Sequence, residues 1–204
     1  MKTEPTVRKD QIIEAAIKRF AHFGIAKTSL TEVADDLGVA KQTLSYYFSD
    51  KKALVTAVVD KLGEEYEEKL HAEIDQADTV EKALLKLTEV KSWFFEKYFM
   101  LLTQENHMEL ATAGVLPGRR NKLMNRELAL MKALLDQGVS KGELRPMDSA
   151  KKASLLLETL YAFARCVKDK SALPDKEAFQ QVLTRQKEVT RIFYDSLKSD
   201  TWKN

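Results

Sequence analysis

Between residues 12 and 23 the apolar positions Ile12, Ile13, Ala16, Ile17, Phe20 and Phe23 recur at intervals of three and four. That spacing gathers side chains along one face of an α-helix. Gly24 follows, and glycine readily closes a helix C-terminus. In the next stretch, TSLTEVADDLG, Ser29 and Glu32 stand three apart as a capping box does. Leu30, Val33, Ala34 and Leu37 line one face of a short helix that Gly38 ends. A second short helix is predicted over 41–48, and Ser49 or Asp50 caps a longer one from 51 to about 72. Further helices are predicted at 79–101, 103–112, 119–137, 148–169 and 175–198, with breaks at 75–78, 116–118, 138–148 and 170–175. There is no fixed-period repeat and no strand-like alternation of useful length. The expected fold class is all-α, with about nine helices.

Two short helices joined by a glycine turn, behind a longer support helix, describe a helix-turn-helix. Ala34 is small where two helices must approach, Gly38 stands at the turn, and Leu44 can pack the second helix on the first. At about 100° per residue, Leu44 and Phe48 point inward and Tyr47 lies on the flank. Gln42 and Tyr46 point outward, with Thr43 and Ser45 at the edges and Lys41 in the exposed first turn. The outer face therefore offers amide, hydroxyl, phenol and ammonium groups, which suit base edges and phosphate oxygens. Lys51 and Lys52 can add phosphate contacts from the following helix.

Residues 8–62, with "IIEAAIKRFAHFGIAKTSLTEVA", "LGVAKQTL" and "YYFSDKKAL", resemble the TetR family of bacterial transcriptional regulators. The resemblance implies a three-helix DNA-binding domain at 1–50 and a helical ligand-binding and dimerisation domain at 51–204. It implies that Thr28, Ser29 and Thr31 approach the DNA from the second helix. Lys41, Gln42, Thr43 and Tyr46 would carry base and phosphate contacts, and Tyr47 and Lys51 would anchor phosphates. Ser45 stands where the family usually has an aromatic residue, and Ala40 where it usually has a small hydroxyl residue. The function implied is a homodimeric repressor, released from a palindromic double-stranded operator by a small apolar or amphipathic ligand. The alternative is a regulator of the same fold with no small-molecule effector, controlled by a protein partner.

Beyond residue 62 the residues speak less specifically. Ala153, Leu156, Leu157, Leu160, Phe163 and Val167 make one stripe; Phe179, Val182, Leu183, Val189, Ile192, Phe193 and Leu197 make another. These stripes at 148–169 and 175–198 fit a four-helix dimer interface or an intramolecular core. Trp93, Phe94, Tyr98, Met100, His107 and Met108, with Met124 and Met131 from a later helix, could wall a ligand pocket or form ordinary core.

Composition narrows the function classes. Of 204 residues, 33 are basic and 31 acidic, so the net charge of +2 leaves any charged site to local clustering. Residues 1–52 hold nine basic and seven acidic side chains, a modest excess for a DNA-binding head. The longest uncharged stretch, 110–118, is nine residues, far short of the roughly 20 that span a bilayer. With one cysteine, Cys166, and no signal-peptide-like apolar run at the N-terminus, a cytoplasmic location without membrane attachment is expected. Glu68 and His71 form an E-x-x-H pair, but no second such pair exists to complete a di-iron bundle site. There is no Gly-rich phosphate loop. No metal, cofactor or enzymatic activity is expected.

Overall fold

The computed structural model describes residues 4–101, 104–168 and 176–200. Among them the helices are α1 (Glu4–Phe23), α2 (Leu30–Asp36), α3 (Lys41–Tyr47), α4 (Lys51–Ile74), α5 (Val80–Tyr98), α6 (Gln104–Thr112), α7 (Leu116–Ser140), α8 (Ser149–Lys168) and α9 (Lys176–Leu197). A 3-10 turn, Phe99–Leu101, follows α5, and no strand is present among the described residues. The all-α expectation holds. None of these helices is long and apolar enough to cross a membrane.

Local rules explain most boundaries. At α2 both arms of the capping box form: the Glu32 amide donates to Ser29 Oγ at 3.3 Å, and the Ser29 amide donates to Glu32 Oε2 at 2.7 Å. Gly38, with φ +62°, turns the chain between α2 and α3. Its amide donates to the Asp35 carbonyl at 3.0 Å. A Cβ there would meet nothing within 4 Å, so glycine is required by conformation rather than by space.

One expected break, 116–118, is helical instead, and the break expected at 138–148 begins three residues later, at 141. Residues 116–118 form the first turn of α7, where a proline such as Pro117 costs little because no intrahelical N–H partner is lost. Gly138 lies inside α7, where a Cβ would come within 2.7 Å of Leu144 and 2.8 Å of Val80. It is a close-packing residue and not a helix stop. The expected break at 170–175 lies outside the described residues.

Compactness divides the chain differently from the expected 1–50 and 51–204. One unit comprises Met1–Glu65 with Lys97–Arg119, and the other Tyr66–Glu96 with Arg120–Asn204. The cause is physical: the first half of α4 buries Leu54, Val55, Val58 and Leu62, and the 3-10 turn after α5 packs on α1. The first unit buries Ile12, Ala16 and Phe20 of α1, Val33 and Ala34 of α2 and Leu44 of α3.

The second unit has its own core, from Leu70, Leu84, Leu87, Met131, Leu135, Leu156 and Leu160. Within it sits a polar hub. The buried Glu127 accepts hydrogen bonds from the Tyr66 hydroxyl (2.5 Å), the Tyr161 hydroxyl (3.0 Å) and Lys91 Nζ (3.0 Å). Burial first, and then the Glu127 charge, push the Tyr66 phenol well above its ordinary pKa.

Ala153, Leu156, Leu157 and Leu160 of the α8 stripe all belong to this intramolecular core. Their periodicity therefore reports packing within one chain. Val182 and Leu183 of α9 are also buried, whereas Ile192 is 62% exposed and Leu155, on the other side of α8, is 53% exposed. The Val167 side chain lies outside the described residues.

Candidate nucleic-acid interface

α3 is amphipathic over seven residues. Leu44 is fully buried and Phe48 at its C-cap nearly so, while Tyr46 is 82% exposed. Lys41, Gln42 and Ser45 are exposed, and Thr43 and Tyr47 are half-buried. The Tyr46 and Tyr47 rings meet edge-on, with centroids 5.1 Å apart. The buried pair fixes the helix by its apolar side, which leaves one row of polar groups facing out. Ala40 is the N-cap of α3 and makes no side-chain cap hydrogen bond.

α2 is held from behind by Arg19 of α1. The Arg19 guanidinium donates to Asp36 at 2.7 Å and to Glu32 at 3.1 Å, and lies 4.7 Å from the Phe23 ring centroid. The Asp36 hydrogen bond, more than any other contact, raises the Arg19 pKa. Glu32 is held below its ordinary carboxylate range, first by the Ser29 hydroxyl and then by the Ser29 amide and Arg19. So one of the nine basic residues of this region is neutralised locally. The outward charge rests on Lys41, Lys52 and their neighbours.

The predicted contact residues do not all share one role. Thr31, Lys41, Gln42, Ser45 and Tyr46 are exposed together on α2 and α3. Thr28 is different: its side chain is buried and its hydroxyl donates to the Gly24 carbonyl at 2.9 Å. It shapes the α1–α2 turn and does not reach outward. The Ser29 hydroxyl is occupied by the capping box, 2.8 Å from Glu32 Oε2. Lys51 Nζ donates to the Ala26 carbonyl at 3.0 Å, tying α4 to the same turn.

The suggested pocket residues divide between the two units. Tyr98, Met100 and Met108 lie in the first unit; Trp93, Phe94, Met124 and Met131 lie in the second. Met100, Met108 and Met124 are exposed, and Met131 is core. Long side chains at helical spacing fit a pocket wall, a core or an exposed flank equally well, and spacing does not distinguish them. The His107 side chain lies outside the described residues. The second unit has a recess of about 400 Å³ elsewhere, between the α4–α5 turn and the C-terminal half of α7. Ile74, Val80 and Leu134 floor it, and Asp75, Asp78, Gln137 and Lys141 edge it.

Sequence reasoning missed Arg19 and Asn106. Neither belongs to a periodic pattern, and each acts on a residue 13 or more positions away.

A seven-residue helix with a buried apolar edge, an exposed polar edge and a glycine turn to a capped partner helix defines a helix-turn-helix DNA-binding protein. Residues 12–58 match the domain described as "Bacterial regulatory proteins, tetR family". This segment therefore carries the DNA-binding domain of TetR-family transcriptional regulators. The chain is 26% identical over 159 residues to the uncharacterized HTH-type transcriptional regulator YhgD of Bacillus subtilis, which covers 76% of this chain and 81% of that one. It is 33% identical over 91 residues to the HTH-type transcriptional regulator TtgR of Pseudomonas putida, covering 42% of this chain and 43% of that one. Among solved structures, a transcriptional regulator from Cytophaga hutchinsonii superposes with a TM-score of 0.82 at 21% identity, over 93% of this chain and 98% of that one. That likeness shows that the fold extends through the C-terminal helices.

Proposed function

We propose that the chain is a homodimeric repressor that reads a palindromic operator and leaves it when a small apolar or amphipathic molecule binds. The observation that carries the reading is α3: Leu44 and Phe48 hold it by one edge, and Lys41, Gln42, Ser45 and Tyr46 are left facing out. Lysine and polar side chains on a helix of this kind serve phosphates and base edges. A two-fold dimer pairs two such helices on two half-sites. Leu155 and Ile192, exposed on α8 and α9, are the apolar positions we assign to the dimer contact in place of the buried stripe.

Selection of bound duplexes from a random pool, followed by footprinting and sedimentation, tests this. An enriched inverted repeat bound by two chains, with affinity falling steeply as salt rises, is the expected outcome. Enrichment of no sequence, or of a single half-site bound by one chain, would defeat the reading. Adding apolar small molecules to the complex tests release. The exposure of Met100 and Met108 on the DNA-binding unit favours a second reading, control by a protein partner, and a complex that no small molecule releases would support it.

A further inference from the structure

Asn106, in α6, is 81 residues from Ile25 along the chain, yet its Oδ1 accepts the Ile25 N–H at 2.8 Å. Its Nδ2 donates to the Met100 carbonyl at 3.2 Å. Both Asn106 and Ile25 are buried, so the bond is made away from water. A buried backbone N–H left without an acceptor is costly.

The position of Ile25 gives the bond its consequence. Ile25 lies in the turn between α1 and α2, and three successive residues of that turn are each gripped from a different place. The Gly24 carbonyl, at a residue with φ +85°, accepts from the Thr28 hydroxyl at 2.9 Å. The Ile25 amide is held by Asn106 of α6. The Ala26 carbonyl accepts from Lys51 Nζ of α4 at 3.0 Å. Three residues further on, Ser29 caps α2, and α2 packs on α3. The turn therefore sets the direction in which α2 and α3 leave α1.

The segment that carries Asn106 is fastened to the same unit at both ends. Lys97 and the Tyr98 hydroxyl bond the Glu65 carboxylate. Arg119 forks onto Asp60 through Nε (2.5 Å) and Nη2 (2.9 Å). Both acidic partners lie on α4, and α4 also supplies Lys51 to the turn.

We propose that Asn106 is a positioning residue for DNA reading, and that Lys97–Arg119 is a working part of the reading head. By supplying the acceptor for Ile25, Asn106 holds the α1–α2 turn in one geometry and so presents α2 and α3 in one orientation. It touches no DNA itself. The proposal rests on the reading that α3 contacts DNA. It predicts an effect on selectivity: base readout needs α3 aligned to within a fraction of an ångström, whereas phosphate attraction tolerates looseness.

The test compares full-length Asn106→Leu and Asn106→Asp with the wild-type chain. Both variants keep the branching and heavy-atom count of the asparagine side chain, but only aspartate keeps an oxygen for the Ile25 N–H. Affinity is measured on a duplex that the wild type selects from a random pool and on poly(dI-dC), after circular dichroism has established folding. Asn106→Leu is expected to lose about tenfold on the selected duplex, the scale of one buried hydrogen bond, and nothing on poly(dI-dC). Asn106→Asp gives up the Nδ2 bond to Met100 but keeps the acceptor for Ile25, and is expected to stay within about threefold of wild type on both. Three results would overturn the proposal: unchanged selected-duplex affinity in Asn106→Leu, equal losses on both DNAs, or the same selective loss in both variants. If Asn106→Leu does not fold, Asn106→Ala, which also lacks an acceptor, replaces it under the same criteria. A wild-type chain that selects no duplex defeats the DNA-binding reading itself, an outcome distinct from any failure of Asn106.

Discussion

The Glu127 carboxylate lies 3.0 Å from the Lys91 ammonium, with 1% of the Glu127 side chain and 19% of the Lys91 side chain exposed. Two tyrosine hydroxyls complete the carboxylate's partners in the core of the second unit. Glu127→Ala leaves the Lys91 ammonium and both hydroxyls without that acceptor. It is expected to destabilise the fold by about 3 kcal/mol, the scale of breaking one side of a buried pair. Urea unfolding followed by circular dichroism measures it; a loss below about 1 kcal/mol, the range of a surface pair, would mean the hub contributes little.

Gly138→Ala sets two effects against each other. Alanine favours helix by about 1 kcal/mol over glycine. Its Cβ, however, would stand 2.7–2.8 Å from Leu144 and Val80, and overpacking costs roughly 1–3 kcal/mol. The clash is with two buried side chains that have little room to yield, so the variant is expected to be less stable than wild type. A raised melting temperature would show that Leu144 and Val80 move aside freely.

Ala40→Ser is expected to stabilise. The N-cap of α3 already has the extended conformation a cap requires (φ −66°, ψ 145°) and lacks a side-chain cap bond. A serine hydroxyl there is worth about 1 kcal/mol, which thermal unfolding would register as a rise in Tm. No rise would mean that the added hydroxyl finds no first-turn amide.

The Glu73 carboxylate accepts from Lys69 Nζ at 2.7 Å and from Lys86 Nζ at 2.9 Å. These two bonds, Lys69 first, bring its pKa from 4.5 down to about 2. A folded-state pKa below the unfolded one means stability that is fully present above pH 4.5 and is lost as pH falls towards 2. In low salt, stability should therefore fall less steeply across that window in Glu73→Gln than in wild type. Parallel curves would show that the pair is screened away.

On DNA, the exposed row of α3 should separate into two behaviours. Lys41→Ala is expected to weaken binding to all sequences alike and to lower the salt slope by about one. Gln42→Ala should relax preference at one base pair, at a cost of about 1–3 kcal/mol on the preferred site. Ser45→Tyr, at an exposed position, should change operator affinity or preference while leaving the melting temperature in place. Mobility-shift titrations on selected and scrambled duplexes distinguish these outcomes, and an unchanged profile for Ser45→Tyr would remove that position from the reading surface.

The helical spacing of apolar residues, the Ser29–Glu32 box and Gly38 were enough to place α1, α2 and α3 and to say which edge of α3 is buried. These features are local: each depends on residues within about one or two helical turns, so sequence order carries them. The α8 stripe was equally visible, but periodicity records that a face is buried and not what buries it. Only the packed chain showed that Leu156 and Leu160 serve their own core and that Leu155 and Ile192 stay exposed. Gly138 and Pro117 looked like breaks because their local preferences are strong; tertiary packing and helix-end geometry overrode both. Thr28 and Lys51 looked like DNA contacts by position, yet the folded turn uses their polar atoms internally. Local order along the chain thus accounts for the helices of the first unit and for the exposed polar edge of α3. The tertiary structure decided which residues hold that face still, because Arg19, Lys51 and Asn106 reach their partners across 13 to 81 positions of chain, distances over which no local pattern survives.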